Sequence, residues 1–383
     1  MPVPFEATLT LEPTLETALK SGHPWVYRNH LPKHTLRTGD WVRVKAGKAE
    51  AYGLFDADGQ IAVRLFGDRP PEGKWLETRI RDALKLRAGT IGAATNTYRL
   101  LYGEGDFLPG ITADRYERFA VLKSYAESVS ALLPEVARTL GASLKLRGVV
   151  SRDSGETRAL WGQLPPPELT VQENGLKLLA NLYDGQKTGL FLDHRDNRQS
   201  LVRLANAQRV LNLFSYTGAF SLYALRGGAV HVTSVDIAPA ATEDAKRNFA
   251  LNGFDPDAHA FLSTDVFKLL SDYAVQRRQF GLVMLDPPSL ARDKKSRFTA
   301  LRAYTKLNAQ ALRCVSPGGF LATASCTAQV SPEDFRRVLG EAAVSAGVRA
   351  QLVHEAGHAP DHPVPAGFPE GRYLKFIVAR VLA

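Results

Sequence analysis

The chain has 383 residues, 45% of them hydrophobic and 23% charged, enough for two or three domains that each bury a core. Its two cysteines, Cys314 and Cys326, exclude a disulfide framework and give no metal-ligand spacing. The formal net charge of +9 points to a polyanionic partner. Met1–Glu6 shows no charged-then-apolar signal, and no apolar run approaches the length of a membrane span, so a cytoplasmic protein is expected.

Residues 1–71 read as a small β-rich domain. Short alternating segments recur at Trp41–Val44, Ala51–Phe55 and Ile61–Phe66, and the stretch Asp68-Arg69-Pro70-Pro71-Glu72-Gly73 marks the boundary. Lys20, Arg28, Lys33, Arg37, Arg43, Lys45 and Lys48 face a single acid, Asp40, with Trp25, Tyr27 and Trp41 interleaved. Cations for phosphates and aromatic faces for bases suit single-stranded RNA. The competing assignment puts the tryptophans in a core and the lysines in solvent.

Residues 72–182 read as a mixed α/β domain. Trp75–Leu86 and Val129–Leu140 are expected helices. Tyr98–Tyr102, Phe119–Leu122 and Gly148–Val150 are expected strands, with a turn-rich Gly103–Gly110 between the first two. Leu169–Leu182 reads as a hairpin turning at Glu173-Asn174-Gly175. Nothing in this stretch looks catalytic.

Residues 183–383 alternate strand and helix, which predicts a parallel sheet. Val210–Phe214 is a strand, Ser215–Phe220 a small-residue turn, Ser221–Leu225 a helix, and Val230–Val235 a strand ending on Asp236. A carboxylate roughly 20 residues past a glycine turn is placed to accept hydrogen bonds from ribose hydroxyls. The turn lacks G-x-G-x-x-G, and Tyr216 and Phe220 would crowd a pyrophosphate, so a nucleoside cofactor without phosphates is favoured over a dinucleotide. A helix at Ala240–Asn252 and strands at Ala260–Leu262, Phe280–Leu285, Phe320–Ala324 and Leu374–Val381 follow, with Ser331 capping another helix.

Polar residues end these strands: Asn212 and Ser215, Asp236, Asp265, Asp286 and Cys326. Ligands of open parallel sheets bind at the carboxyl ends of strands, so these groups should converge. The expected cofactor set is Asn212, Phe214, Ser215, Tyr216, Thr217, Gly218, Asp236, Ile237, Asp265, Val266 and Asp286. Asp236 would serve the ribose and Asp265 an adenine amino group, although an Asp after a strand is more commonly a helix N-cap. In Asp286-Pro287-Pro288-Ser289 the prolines remove two N–H donors, leaving carbonyls and the Asp side chain to face a base. Arg292, Lys294, Lys295, Arg297, Arg302, Lys306 and Arg313 follow against Asp293, a basic helix suited to polynucleotide.

On these residues the chain resembles the ribosomal RNA large-subunit methyltransferase I family, whose members are S-adenosylmethionine-dependent 5-methylcytidine enzymes. The resemblance spans essentially the whole length. It is carried by Gly22-His23-Pro24-Trp25-Val26, Glu104-Gly105-Asp106 with Leu108-Pro109-Gly110, Gly185–Gly189, Leu192-Asp193-His194-Arg195, Asn212–Gly218, Leu285-Asp286-Pro287-Pro288 and Ala324-Ser325-Cys326-Thr327. It implies an N-terminal PUA-like barrel, a central α/β domain and a C-terminal Rossmann-like methyltransferase domain. It also places Lys187 and Arg195 beside the cofactor or target base.

The expected reaction is methylation of carbon 5 of a cytidine in 23S ribosomal RNA, or in a large-subunit precursor, through a Cys326 adduct with Asp286 holding the base. RNA contacts are expected from Trp25, Arg28, Lys33, Arg292, Lys294, Lys295 and Arg297, and no metal is expected. A homodimer is left open. The alternative is methylation of an exocyclic amine such as guanine N2. Such enzymes typically follow the Pro-Pro turn with an aromatic, where this chain has Ser289 and Leu290. The departure from other RNA 5-methylcytidine enzymes is that no second cysteine stands in the Asp-Pro-Pro position.

Overall fold

The computed structural model describes residues 5, 7–153, 156–291 and 296–382. The chain divides into two compact units. The first comprises Met1–Asn174, Ala180–Asp193 and Pro360–Gly371, the second Gly175–Leu179, His194–Ala359 and Arg372–Ala383.

The first unit carries two five-stranded sheets. The N-terminal sheet orders its strands Ala7–Thr10, Trp41–Ala46, Ala49–Phe55, Ile61–Gly67 and Trp25–Tyr27. Period-two alternation explains Trp41–Ala46: Val42, Val44 and Ala46 are fully buried on one face, while Trp41, Arg43 and Lys45 are half-buried on the other, Trp41 packing against Phe66 and Trp75. The second sheet runs Glu156–Gly162, Gly148–Asp153, Phe119–Ser124, Ile111–Tyr116 and Thr97–Tyr102. Phe119–Ser124 and Gly148–Asp153 are parallel, joined through the amphipathic helix Leu133–Leu144, which buries Val136, Ala137 and Leu140. The helix Trp75–Thr90 buries Ile80 and Ala83 on the same core, and Leu54 and Phe66 of the N-terminal sheet join it. Leu169–Glu173 and Leu176–Ala180 form as strands, and Asn174 and Gly175 between them take the positive φ values a tight turn requires, 49° and 84°.

The second unit is built on a seven-stranded sheet. Its order is Ala260–Ser263, His231–Asp236, Arg209–Leu213, Phe280–Leu285, Val315–Ser325, Lys375–Leu382 and Arg349–Ala356. The first five strands are parallel. Phe280–Leu285 is buried at every position, as a central strand covered on both faces must be. Strand order reverses between Arg209–Leu213 and Phe280–Leu285, so a ligand crevice belongs at the carboxyl ends beside that point.

The all-parallel expectation needs one correction. Lys375–Leu382 runs antiparallel to both its neighbours, because the chain reaches it from the strand Arg349–Ala356 and not through a helix. Arg349–Ala356 escaped the sequence reading because it is an edge strand, exposed along nearly its whole length. No helix among the described residues is long and apolar enough to cross a membrane.

Candidate active site

The turn after Arg209–Leu213 is wound tightly. Phe214, Tyr216 and Gly218 take positive φ values of 58°, 47° and 79°. At Gly218 the requirement is steric as well, since a Cβ would stand 3.0 Å from the Ala245 Cβ. Asp236 holds the turn from the next strand: its Oδ2 accepts the Tyr216 N–H at 2.9 Å and its Oδ1 the Ala238 N–H at 3.0 Å. Asn248 donates to the Thr217 carbonyl at 2.9 Å, and the Ser215 N–H reaches the Val235 carbonyl at 2.9 Å. The backbone is therefore fixed before any ligand arrives.

The register explains which predicted residues meet. Val235, Leu213, Leu285 and Thr323 form one row across four parallel strands. One residue beyond that row lie Asp236, Phe214 and Asp286, and three residues beyond it lies Cys326. Ile237 is 70% exposed beside Asp236, an aliphatic surface at the edge of the sheet. Thr217 Oγ1 is buried without a hydrogen-bond partner among the described residues. A carboxylate for hydroxyls, an unsatisfied hydroxyl and apolar faces on either side fit a nucleoside cofactor. Asn212 instead turns inward, its amide donating to Ser221 at 2.9 Å to pin strand to helix. Asp265 caps the helix Val266–Val275, accepting the Lys268 N–H at 2.9 Å. Val266, the first residue of that helix, is buried.

Around Asp286 the structure adds groups that the sequence reading left without a role. His194 is buried, with Nε2 3.4 Å from Asp286 Oδ2. The Asn197 amide lies 3.1 Å from His194 Nδ1 and 3.1 Å from the Gly357 carbonyl. An amide nitrogen can only donate, so Nδ1 accepts and the imidazole proton sits on Nε2, toward Asp286. Tyr304 is fully buried, with the Ser325 side chain and the Leu290 backbone among its polar neighbours. Burial, together with the nearby Cys326 and Asp286 charges, pushes its phenol up to about 12.

The two cysteines differ sharply. Cys314 is fully buried, and burial pushes its thiol up to about 11. Cys326 is partly exposed at the carboxyl end of its strand. Lys375, paired with Ser325 across the antiparallel ladder, is only 4% exposed. Its ammonium donates to the Thr327 carbonyl and, at 2.8 Å, to that of Tyr373. Lys375 begins a strand otherwise apolar from Phe376 to Ala379, and a lone lysine there was the signal available in the sequence.

Other expected site residues are distributed differently. Lys187 belongs to the first unit, where its ammonium is 2.8 Å from Asp193 and lies over the Phe191 ring. Arg195 belongs to the second unit, is buried, and contacts Asp196 at 3.1 Å. Trp25 packs edge-on against Phe368 with ring centroids 4.5 Å apart and donates to Glu104 at 2.9 Å. The Arg28 guanidinium is spent on the carbonyls of Gly59 and Asp56. Both side chains are half-buried and make these contacts within the first unit. Lys33 is exposed. Arg297 pairs with Asp334 at 2.6 Å, whereas Arg292, Lys294 and Lys295 lie outside the described residues. Among the described residues no cluster of His, Cys, Asp or Glu could hold a metal.

A doubly wound sheet with this turn and acidic strand end defines a class I methyltransferase core. Residues 116–367 match the S-adenosylmethionine-dependent methyltransferase family, and residues 9–67 match the PUA-like domain. S-adenosylmethionine is the cofactor. The chain is 35% identical over 385 residues to ribosomal RNA large subunit methyltransferase I of Pseudoalteromonas translucida strain TAC 125, covering 96% of this chain and 97% of that one. It is 36% identical over 388 residues to the protein of that name from Aeromonas salmonicida strain A449, covering 95% and 97%. The crystal structure of SMU.776 complexed with SAH superposes with a TM-score of 0.87 at 25% identity, covering 98% of this chain and all of that one. The chain therefore belongs to the ribosomal RNA large subunit methyltransferase I family.

Proposed function

We propose that the protein methylates carbon 5 of a cytidine in large-subunit ribosomal RNA, with Cys326 as nucleophile. The observation that carries this reading is the contrast between the cysteines: Cys326 is partly exposed at the carboxyl edge of the sheet, one strand from Asp286, while Cys314 is sealed in the core. The relatives' name supplies the RNA class, and the net charge of +9 agrees with it.

Carbon 5 of cytosine is too weak a nucleophile to take a methyl group unaided. Addition of the Cys326 thiolate to carbon 6 moves the ring's electron pair to carbon 5 and splits one hard step into easier ones. Asp286 holds nitrogen 3 and the amino edge of the base, sharing a proton as charge develops there. His194 keeps that carboxylate oriented. S-adenosylmethionine supplies the methyl group as an electrophile on sulfur. Loss of the carbon-5 proton to a base then restores the double bond and expels the thiolate. Asp236, Ile237 and the Phe214–Gly218 turn hold the cofactor's nucleoside. The domains expected at 1–71, 72–182 and 183–383 divide the work into RNA grip, a central α/β body and catalysis.

The test is Cys326→Ala, which should abolish methyl transfer to 23S RNA while keeping cofactor and RNA binding. Full methylation by that variant would remove the cysteine from the reaction and revive methylation of an exocyclic amine.

A further inference from the structure

A buried lysine is costly, since an ammonium leaving water must find compensation. Lys375 is 4% exposed, and two of its three donors are spent on the carbonyls of Thr327 and Tyr373. Thr327 is the residue after Cys326, so the ammonium is anchored to the backbone that carries the thiol. The opposed pair Ser325–Lys375 fixes that reach from the neighbouring strand.

Charged and titratable groups reach this spot from several elements packed against it, and His358, which accepts the Leu374 N–H at 3.2 Å, stands at the start of the strand that carries Lys375. The helix Pro332–Ala346 contributes Asp334, whose carboxylate is already bound by Arg297 at 2.6 Å and Arg337 at 2.9 Å. The helix Arg297–Arg313 contributes Tyr304, and the end of Phe280–Leu285 contributes Asp286. Asp334 is thus committed to two guanidinium groups, and the phenol stays neutral at physiological pH. Burial lowers the Lys375 ammonium to about 8, and the charges of Cys326 and Asp334 oppose that fall.

We propose that Lys375 is a positioning residue for the methyl-transfer reaction, a buried cation that holds Cys326 as its thiolate beside the carbonyl of Thr327. This rests on the reading of Cys326 as nucleophile. The thiol proton leaves to solvent before the base binds, the ammonium keeps its own proton, and Lys375 is not consumed. A cation beside a thiol favours the charged form and lowers its pKa below the ordinary value of about 8.5.

The experiment follows alkylation of Cys326 in the full-length protein by iodoacetamide between pH 5 and 10, read by mass spectrometry of the Cys326 peptide. In the wild type the midpoint should lie below about 8.5. In Lys375→Met it should rise by about one unit or more, with a roughly tenfold slower reaction near neutral pH, and Lys375→Arg should recover part of the loss. A rise in melting temperature with S-adenosylmethionine reports that each variant is folded. A wild-type midpoint at or above about 8.5, or superimposable profiles for the wild type and folded Lys375→Met, overturns the proposal. The wild-type midpoint decides the matter even if Lys375→Met does not fold. Methylation by Cys326→Ala separates the two ideas. An active variant overturns the nucleophile and, with it, the role of Lys375. An inactive one combined with an ordinary thiol midpoint overturns the lysine alone.

Discussion

His194 Nε2 lies 3.4 Å from Asp286 Oδ2, and the opposite nitrogen of the ring faces the Asn197 amide at 3.1 Å. The imidazole is therefore fixed in one tautomer and held against a carboxylate whose own side chain is only 21% exposed. Asp286 is followed by two prolines that cannot donate, so much of its orientation must come from such side-chain neighbours.

His194→Ala should lower kcat by about tenfold to a hundredfold through misplacement of Asp286, with little change in cofactor affinity. Steady-state kinetics with 23S RNA, alongside calorimetry with S-adenosylmethionine, separates the two effects. An unchanged kcat would leave His194 a packing residue for Phe220 and Phe376.

Asp236→Ala removes the acceptor for two backbone N–H groups as well as the expected ribose partner. Stability should fall by about 1–3 kcal/mol, and calorimetry should show weaker cofactor binding. Wild-type affinity in a folded Asp236→Ala protein would take the carboxylate out of the nucleoside site.

Arg302, Lys306, Arg313 and Arg337 line a groove of about 490 Å³ between the helices Arg297–Arg313 and Pro332–Ala346, with Phe298 73% exposed at its rim. If RNA phosphates lie there, Arg302→Ala and Lys306→Ala should each reduce the salt slope of RNA affinity by about one unit. Titrations at several salt concentrations measure this directly, and unchanged slopes would place the RNA elsewhere.

Asp334 gives a pH prediction. Burial works to raise its carboxyl, but hydrogen bonds from Arg297, Arg337 and the Ser331 N–H outweigh it and bring it down to about 2 from 3.8. A carboxyl lowered in the folded state contributes stability that is complete above its unfolded value and lost as pH falls toward the folded one. The second unit should therefore lose stability between about pH 4 and 2, and Asp334→Asn should flatten that limb of a melting-temperature profile. An equally steep limb in the variant would contradict the assignment.

The parts of this architecture with a regular apolar pattern or a local capping signal were legible from sequence. Phe280–Leu285 is a continuous apolar run bounded by Asp286, and Ser331-Pro332-Glu333-Asp334 spells a capping box that the structure forms, with Ser331 Oγ accepting the Asp334 N–H at 3.1 Å. Asp236 was legible because its spacing from the glycine turn is a property of one βαβ unit. His194, Tyr304 and Lys375 were not, since each owes its place to contacts from distant strands and helices. Edge strands such as Glu156–Gly162 and Arg349–Ala356 expose most of their residues and leave no period to read. The internal partners of Trp25 and Arg28, namely Glu104, Phe368 and two carbonyls, were likewise not legible, since they come from residues distant in sequence.

The most direct test of the central claim is covalent trapping. RNA carrying 5-fluorocytidine cannot lose a proton from carbon 5 after methyl transfer, so the thiolate cannot be expelled. Incubated with S-adenosylmethionine, the wild type should accumulate a protein–RNA adduct whose mass includes one methyl group and whose digest places it on Cys326, and Cys326→Ala should form none. Absence of any adduct from a wild-type enzyme that methylates ordinary RNA, or an adduct on another residue, would contradict the account.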